Sequence, residues 1–277
     1  MTKLRLDAEK TPLSHIIIIT LFAVGGVAIP LDYIFELFIV DKLTVTLLSQ
    51  ITIRVILSVI ALVFVFKYGY HKAFVGKNKL ISLVAVVPAL LVAINNFPLV
   101  GLISGSVVVT ASATNVGLFV LFCLTVGVYE EVVFRGLILP LTFKLLEKVK
   151  NGTFWAVALS SAIFGASHLM GLFSGNIGGT FLQVGYSFLI GAMCAISLII
   201  TKNLFVAIVL HFVYDVGGLM TTYIAIGNQW DTLTIIITAV LGVIVLLYML
   251  FALLKSNYTS VKHLYYPSDF NEEITEN

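Results

Sequence analysis

Charge is what this sequence has least of. Asp, Glu, Lys and Arg make up 11% of its 277 residues, against roughly a quarter in soluble domains, while 60% are hydrophobic and the mean hydropathy is +1.08. A soluble surface cannot be built from that stock, so the bilayer is the expected medium. Cysteine is scarce as well. Cys123 and Cys194 both lie in apolar runs, where each reads as a small buried hydrophobe and not as a disulfide partner or a ligand. A net charge of +2 with basic residues spread along the chain gives no support to a nucleic-acid partner. No small-residue cleavage pattern follows the apolar stretch after His15, so it reads as a retained helix and not as a removed signal.

What the sequence has in abundance is apolar runs. With about 20 residues needed to cross the hydrocarbon core, eight spans are expected, at about 13–38, 46–67, 79–97, 115–138, 153–172, 179–200, 204–224 and 233–254. The fold class is therefore all-α, a polytopic transmembrane helical bundle. Placing both termini in the cytoplasm puts 14 of the 16 basic residues on that side, leaving Lys42 outside and Arg54 within a span. Such a bias is what the positive-inside rule demands. No internal repeat or low-complexity tract is evident, so residues 1–277 read as one membrane-embedded domain, with a solvated C-terminal tail at about 257–277. The stretch 102–115, rich in Gly, Ser, Val and Thr, reads as an outer loop or a re-entrant piece.

Ionisable side chains in hydrocarbon are expensive unless they are paired or line a wet cavity, so each asks for an explanation. Asp32 and Glu36 on the first span and Arg54 on the second are expected to form an interhelical ion pair. The fourth span carries Glu130 and Glu131 side by side, with Arg135 four residues after Glu131, where helical side chains meet. Glu131 and Arg135 can neutralise each other. Glu130 points about 100° away and is left without that partner. The fifth span supplies Phe164 and His168. Glu130 and His168 lie 20 and 18 residues from Lys150 on the two arms of a hairpin, and in an antiparallel hairpin equal distances mean equal depth, provided the fourth helix runs on past Gly136 and Pro140 with a kink. The seventh span adds His211 and Asp215, again four apart on one face. Three helices thus aim carboxylates and imidazoles at one depth. A carboxylate near an imidazole can hold a water and take its proton while further donors stabilise an oxyanion, so hydrolysis is the reaction this set suits.

The same residues resemble a known family, the CPBP (CAAX protease and bacteriocin-processing, or Abi) intramembrane glutamic endopeptidases. The matching motifs are Glu130-Glu131-x-x-x-Arg135, Phe164-x-x-x-His168 and His211-x-x-x-Asp215, in the family's order on successive helices, covering about residues 115–220. The resemblance implies that Glu130 and His168 activate the hydrolytic water, that His211 with residue 215 forms the oxyanion side, and that Glu131, Arg135 and Phe164 support them. Many members have Asn where this chain has Asp215. An ionised carboxylate donates no hydrogen bond, so Asp215 is expected to orient His211 instead.

The expected function is thus an intramembrane endopeptidase that hydrolyses membrane-associated peptides or proteins by glutamate-activated water, without a cofactor. Its partners are the lipid bilayer and that substrate, and the compact, low-charge chain looks like a multi-pass protein of a bacterial cell membrane. Other intramembrane chemistries lack their motifs. No His-Glu-x-x-His occurs. Tyr214-Asp215 has no Gly-x-Gly-Asp to supply a second carboxylate, and Ser167 lacks a Gly-x-Ser-Gly setting, with His168 expected to point away from it. The alternatives that stand are a zinc-dependent protease using Glu130, His168 and His211, and a non-catalytic scaffold or bacteriocin-immunity protein of the same fold.

Overall fold

In hydrocarbon a backbone can satisfy its polar groups only within a helix or a closed barrel, and here the apolar runs become helices. The computed structural model describes residues 3–74, 80–255 and 264–265. In chain order the helices are α1 (Lys3–Lys10), α2 (Pro12–Val27), α3 (Asp32–Phe35), α4 (Lys42–Tyr68), α5 (Leu80–Val84), α6 (Val87–Asn95), α7 (Leu99–Ser104), α8 (Ala113–Val133), α9 (Leu139–Leu145), α10 (Gly152–Ser167), α11 (Ile177–Thr201), α12 (Leu204–Gly218), α13 (Met220–Tyr223) and α14 (Thr232–Lys255). A π turn, Phe134–Ile138, joins α8 to α9, and 3₁₀ segments at Tyr70–Phe74 and His168–Ser174 extend α4 and α10. Two short strands, β1 (Val108–Val109) and β2 (Ala225–Ile226), pair antiparallel and tie two loops together. The ambiguous 102–115 stretch is therefore the end of α7, a turn and β1.

Among the described residues, six stretches are long and apolar enough to span a membrane: Pro12–Phe35, Lys42–Tyr68, Ala113–Leu145, Gly152–Phe173, Ile177–Thr201 and Thr232–Lys255. Two shorter apolar helices, Ser82–Asn95 and Leu204–Gly218, fall where the third and seventh spans are expected. The chain is thus an all-α polytopic bundle. The shortening has local causes. A turn at 85–86 interrupts the third span, and Pro88 opens the next helix, where its missing N–H costs nothing. The seventh ends at Gly217 and Gly218, which lie against Asn96 and Phe97 too closely for a side chain.

Caps set the boundaries. Asp41 accepts from Thr44 N at the start of α4, Ser112 from Asn115 N at the start of α8, and Asn203 from Phe205 N at the start of α12. Lys202 ends α11 in the left-handed region, so α11 and α12 are joined by a turn of two residues and run antiparallel as neighbours. Over its most apolar stretch α11 is 61% buried and Ala113–Leu145 is 56% buried, against 11% for α14 and 17% for Pro12–Phe35. The first two are the inner wall, and the last two face outward.

Of the expected C-terminal tail, all but Leu264 and Tyr265 lies outside the described residues, and those two are buried. Lys77 and Lys79, used in the charge partition, also lie outside them.

Candidate active site

Two close approaches bring the polar residues together. Gly127 on α8 packs against the α12 backbone at Ile208 and Phe212, where an added Cβ would come within 3.2 Å. Small residues that let helix backbones meet are the usual device of membrane packing. The approach places the last turn of α8, with Glu130 and Glu131, beside His211 on α12. Gly191 on α11 likewise leaves room for Arg135, whose Nη2 donates to the Gly191 carbonyl at 2.8 Å.

The expected kink in the fourth span is the π turn, and Arg135 lies within it. Leu139 N donates to Phe134 O, five residues back, which widens the coil there. Tyr265 donates its hydroxyl to Arg135 O at 2.8 Å. Arg135 and Glu131 are 1% and 0% exposed and form the expected i,i+4 pair, Nη1 to Oε1 at 3.0 Å. That approach is off the hydrogen-bonding line, so the contact is an ion pair.

Glu131 does more than hold Arg135. Its Oε1 also lies 2.7 Å from His211 Nδ1, so one oxygen serves both the guanidinium and the imidazole of the buried layer. A carboxylate already paired to a guanidinium accepts here, which puts a proton on Nδ1. The other ring nitrogen faces outward. His211 Nε2 is 3.5 Å from Glu130 Oε2 and 3.6 Å from Asp215 Oδ2. Glu130 therefore lacks the Arg135 contact, as its helical phase implies, but it is not alone, because His211 is its neighbour. Asp215 Oδ2 makes no hydrogen bond among the described residues. The firmer hold on the His211 ring is Glu131, which the sequence reading had assigned only to Arg135.

Phe164 organises the rings. It is buried on α10, with the Arg135 guanidinium 4.8 Å from its centroid and the His168 and His211 rings edge-on at 5.1 and 5.8 Å. His168 closes α10, its Nδ1 3.0 Å from Phe164 O. With the proton on Nδ1 donated to that carbonyl, Nε2 is left as an acceptor. Ser167 Oγ lies 3.4 Å from His168 Nδ1, nearer than the helical offset suggests, but the hydroxyl donates to Phe164 O at 2.7 Å and is committed to the backbone.

Glu130, His168, His211 and Asp215 all line one cavity of about 530 Å³, together with Arg54, Tyr129, Phe164 and Tyr186. Glu130 and His168, which the hairpin count expects at one depth, thus line the same cavity. Glu131 and Arg135 are not part of the lining and form a dry layer behind it. Tyr129, next to Glu130, anchors the helix turn to the first span through a 2.9 Å bond to Ala23 O.

One expected pairing is absent. Among the described residues Arg54 forms no ion pair with Asp32 or Glu36. The first span breaks after Val27, at Pro30, and the short α3 leaves Glu36 exposed, away from the cavity. Arg54 Nη1 instead donates to the carbonyl and side-chain oxygens of Gln50, and the guanidinium lies 5.2 Å from the Phe122 centroid.

Potential metal ligands converge at Glu131, Cys194 and His211, all buried, with ligand atoms within 4.8 Å. The group is poorly suited to a cation. Glu131 Oε1 already serves Arg135 and His211, Cys194 Sγ is 3.8 Å from the Ala207 carbonyl, and the adjacent guanidinium would repel added positive charge.

A multi-pass helical membrane bundle with carboxylates and imidazoles around one internal cavity defines the class. Within it, residues 112–217 match a family model described as type II CAAX prenyl endopeptidase Rce1-like, so this stretch is similar to the CPBP, or CAAX protease, family. The match spans the start of α8 to the end of α12 and contains every motif residue named above. At the family level it supports a CAAX-protease-like membrane endopeptidase. No curated protein and no solved structure matches the chain.

Proposed function

We propose that the chain is an intramembrane endopeptidase that hydrolyses peptide bonds of membrane-associated peptides or proteins with a glutamate-activated water and no metal. The observation that carries this reading is the placement of Glu130 and His168 on one cavity, with Glu130 free of the Arg135 contact that occupies Glu131. Glu130 takes a proton from water, the resulting hydroxide oxygen bonds to the scissile carbonyl carbon, and the carbonyl electron pair moves onto its oxygen. His168 Nε2 accepts the second hydrogen bond of that water and fixes its direction. In its protonated form His211 donates from Nδ1 to Glu131 and from Nε2 toward the cavity, where the oxyanion develops. Collapse of the tetrahedral species breaks the C–N bond, and the proton held by Glu130 passes to the leaving amine. With His211 protonated, Arg135 and His211 offset the charges of Glu131 and Glu130 beside them.

Asp215 takes the role of a neighbour that keeps the His211 ring facing the cavity, secondary to Glu131. We place the protein in a bacterial cell membrane with both termini cytoplasmic, on the strength of the loop-charge partition. Comparative membrane and secreted peptidomics of cells carrying the intact chain or Glu130→Gln tests the activity. Peptides that accumulate only with the intact chain are expected. Identical peptidomes with normal levels of both proteins would favour the scaffold reading.

A further inference from the structure

Arg54 is the cation that the proposed hydrolysis does not use. It lines the same cavity as Glu130 and Asp215, from the α4 side. Its guanidinium has five donors, and among the described residues only Nη1 is engaged, both of its acceptors belonging to Gln50. Nε is buried with no hydrogen-bond partner, and no carboxylate lies within ion-pair distance among the described residues. The guanidinium carbon sits over the Phe122 ring, 5.2 Å from its centroid. A structural arginine at this depth would be expected to spend its donors on a carboxylate or on several carbonyls. This one is held at one corner and set over an aromatic ring, with Nε unengaged beside the cavity among the described residues.

Resting on the endopeptidase reading, we propose that Arg54 is a substrate-binding residue that receives a carboxylate of the peptide, either the chain terminus or an Asp or Glu side chain. A planar fork of donors matches a carboxylate in two-point contact, where an ammonium would act as a point charge. The arrangement of charge in the cavity also gives direction. Glu130 and Asp215 repel an anionic group on the substrate, while Arg54 attracts it. One carboxylate on the substrate is then enough to set which way the peptide lies across Glu130.

Binding is measured on the purified full chain in detergent by microscale thermophoresis, with three acyl-free probes: Gly-Val-Leu-Ala with a free C-terminus, its C-terminal amide, and Gly-Val-Leu-Asp amide. Variants are Glu130→Gln, Arg54→Gln and Arg54→Lys, each checked for an unchanged melting temperature. The intact chain and Glu130→Gln are expected to prefer a carboxylate-bearing probe over the uncharged amide by about tenfold or more, the scale of a hydrogen-bonded charge pair. The preference falls below about threefold in Arg54→Gln and is intermediate in Arg54→Lys, which keeps charge but loses the fork. If only the free acid is preferred, the terminal carboxylate is the ligand; if the Asp amide is preferred equally, a side-chain carboxylate suffices. Equal binding of all three probes to the intact chain overturns the proposal. So does an Arg54-dependent response confined to dioleoyl phosphatidic acid, titrated as a fourth, lipid probe, which would make the site one for lipid phosphate. Because Glu130→Gln binding needs no turnover, cleavage without carboxylate preference removes this inference alone, and preference without cleavage removes the protease reading alone.

Discussion

Glu130 and Glu131 are consecutive and chemically identical, yet they occupy opposite sides of a wall. Glu130 is 17% exposed, lines the cavity and touches only the outer nitrogen of His211. Glu131 is 0% exposed and shares one oxygen between Arg135 and the inner nitrogen of the same ring. One peptide step, about 100° around the helix, separates a carboxylate that can meet water from one that cannot. The difference assigns them unlike work: the dry residue fixes the geometry of His211 and Arg135, and the wet one keeps its lone pairs for a proton. Substitution can test that division directly.

The largest effect is expected from the dry side. Glu131→Gln leaves Arg135 buried beside a neutral amide, and breaking one partner of a buried pair costs about 3–5 kcal/mol. The amide oxygen can still accept from His211 Nδ1, so the loss should come mainly from Arg135. Arg135→Gln in the same chain should therefore restore part of the melting temperature in detergent. A double variant no more stable than Glu131→Gln would mean that the contact with Arg135 is not what Glu131 contributes.

Glu130→Gln should leave the melting temperature nearly unchanged and lower the cleavage rate by roughly 10²-fold or more, the scale of lost general-base catalysis. Normal cleavage by Glu130→Gln, with a folded but inert Glu131→Gln, would reverse the two roles. Asp215 comes next. Its Oδ2 is 3.6 Å from His211 Nε2 and makes no hydrogen bond among the described residues, so Asp215→Asn should change the rate by less than about tenfold. Asp215→Leu should impair it further, because an apolar side chain gives the ring no polar neighbour. A dead but folded Asn form would show that the charge itself is required.

The contrast between the two glutamates was half legible in the sequence. Helical phase separates Glu130 from Glu131, and the i,i+4 spacing pairs Glu131 with Arg135, both of which are local facts of one helix. Counting along a hairpin brought Glu130 and His168 together, and both line one cavity. The bond between Glu131 and His211 did not follow, because it joins residues 80 positions apart through an approach that Gly127 permits. Nor was the fate of Arg54 readable. Its expected partners fail because Pro30 breaks the first span and turns α3 aside, a tertiary event invisible in spacing alone. The π turn was visible only as a kink near Gly136 and Pro140, since an i+5 coil has no sequence signature of its own. Six of the eight expected spans were legible as long apolar helices among the described residues, because the bilayer imposes length and helicity, whereas the shortening of the third and seventh depends on local breaks and close contacts.

A third carboxylate supplies the solvent limit of the same series and the smallest expected effect. Asp41 lies outside the spans, exposed, and caps α4 while accepting from Asn115 Nδ2 at the start of α8. Hydrogen bonds from the Thr44 side chain first, then from Asn115 and the Thr44 backbone, hold its carboxyl below the usual value of about 3.9. A carboxyl with a lowered folded value contributes stability that is present above the unfolded value and lost as pH falls through the folded one. The window for Asp41 therefore lies below about pH 4. Asp41→Asn can still cap the helix through its side-chain oxygen, so at neutral pH it should lower the melting temperature by about a degree or two at most, and the gap from the intact chain should close as pH falls below about 4. Melting curves of both forms from neutral pH down to about 3 check this. A gap as large as that of Glu131→Gln, or one that widens in acid, would mean that Asp41 is not governed by water. The ordering of dry, cavity-facing and solvated carboxylates by the cost of losing their charge would then fail at its most exposed member.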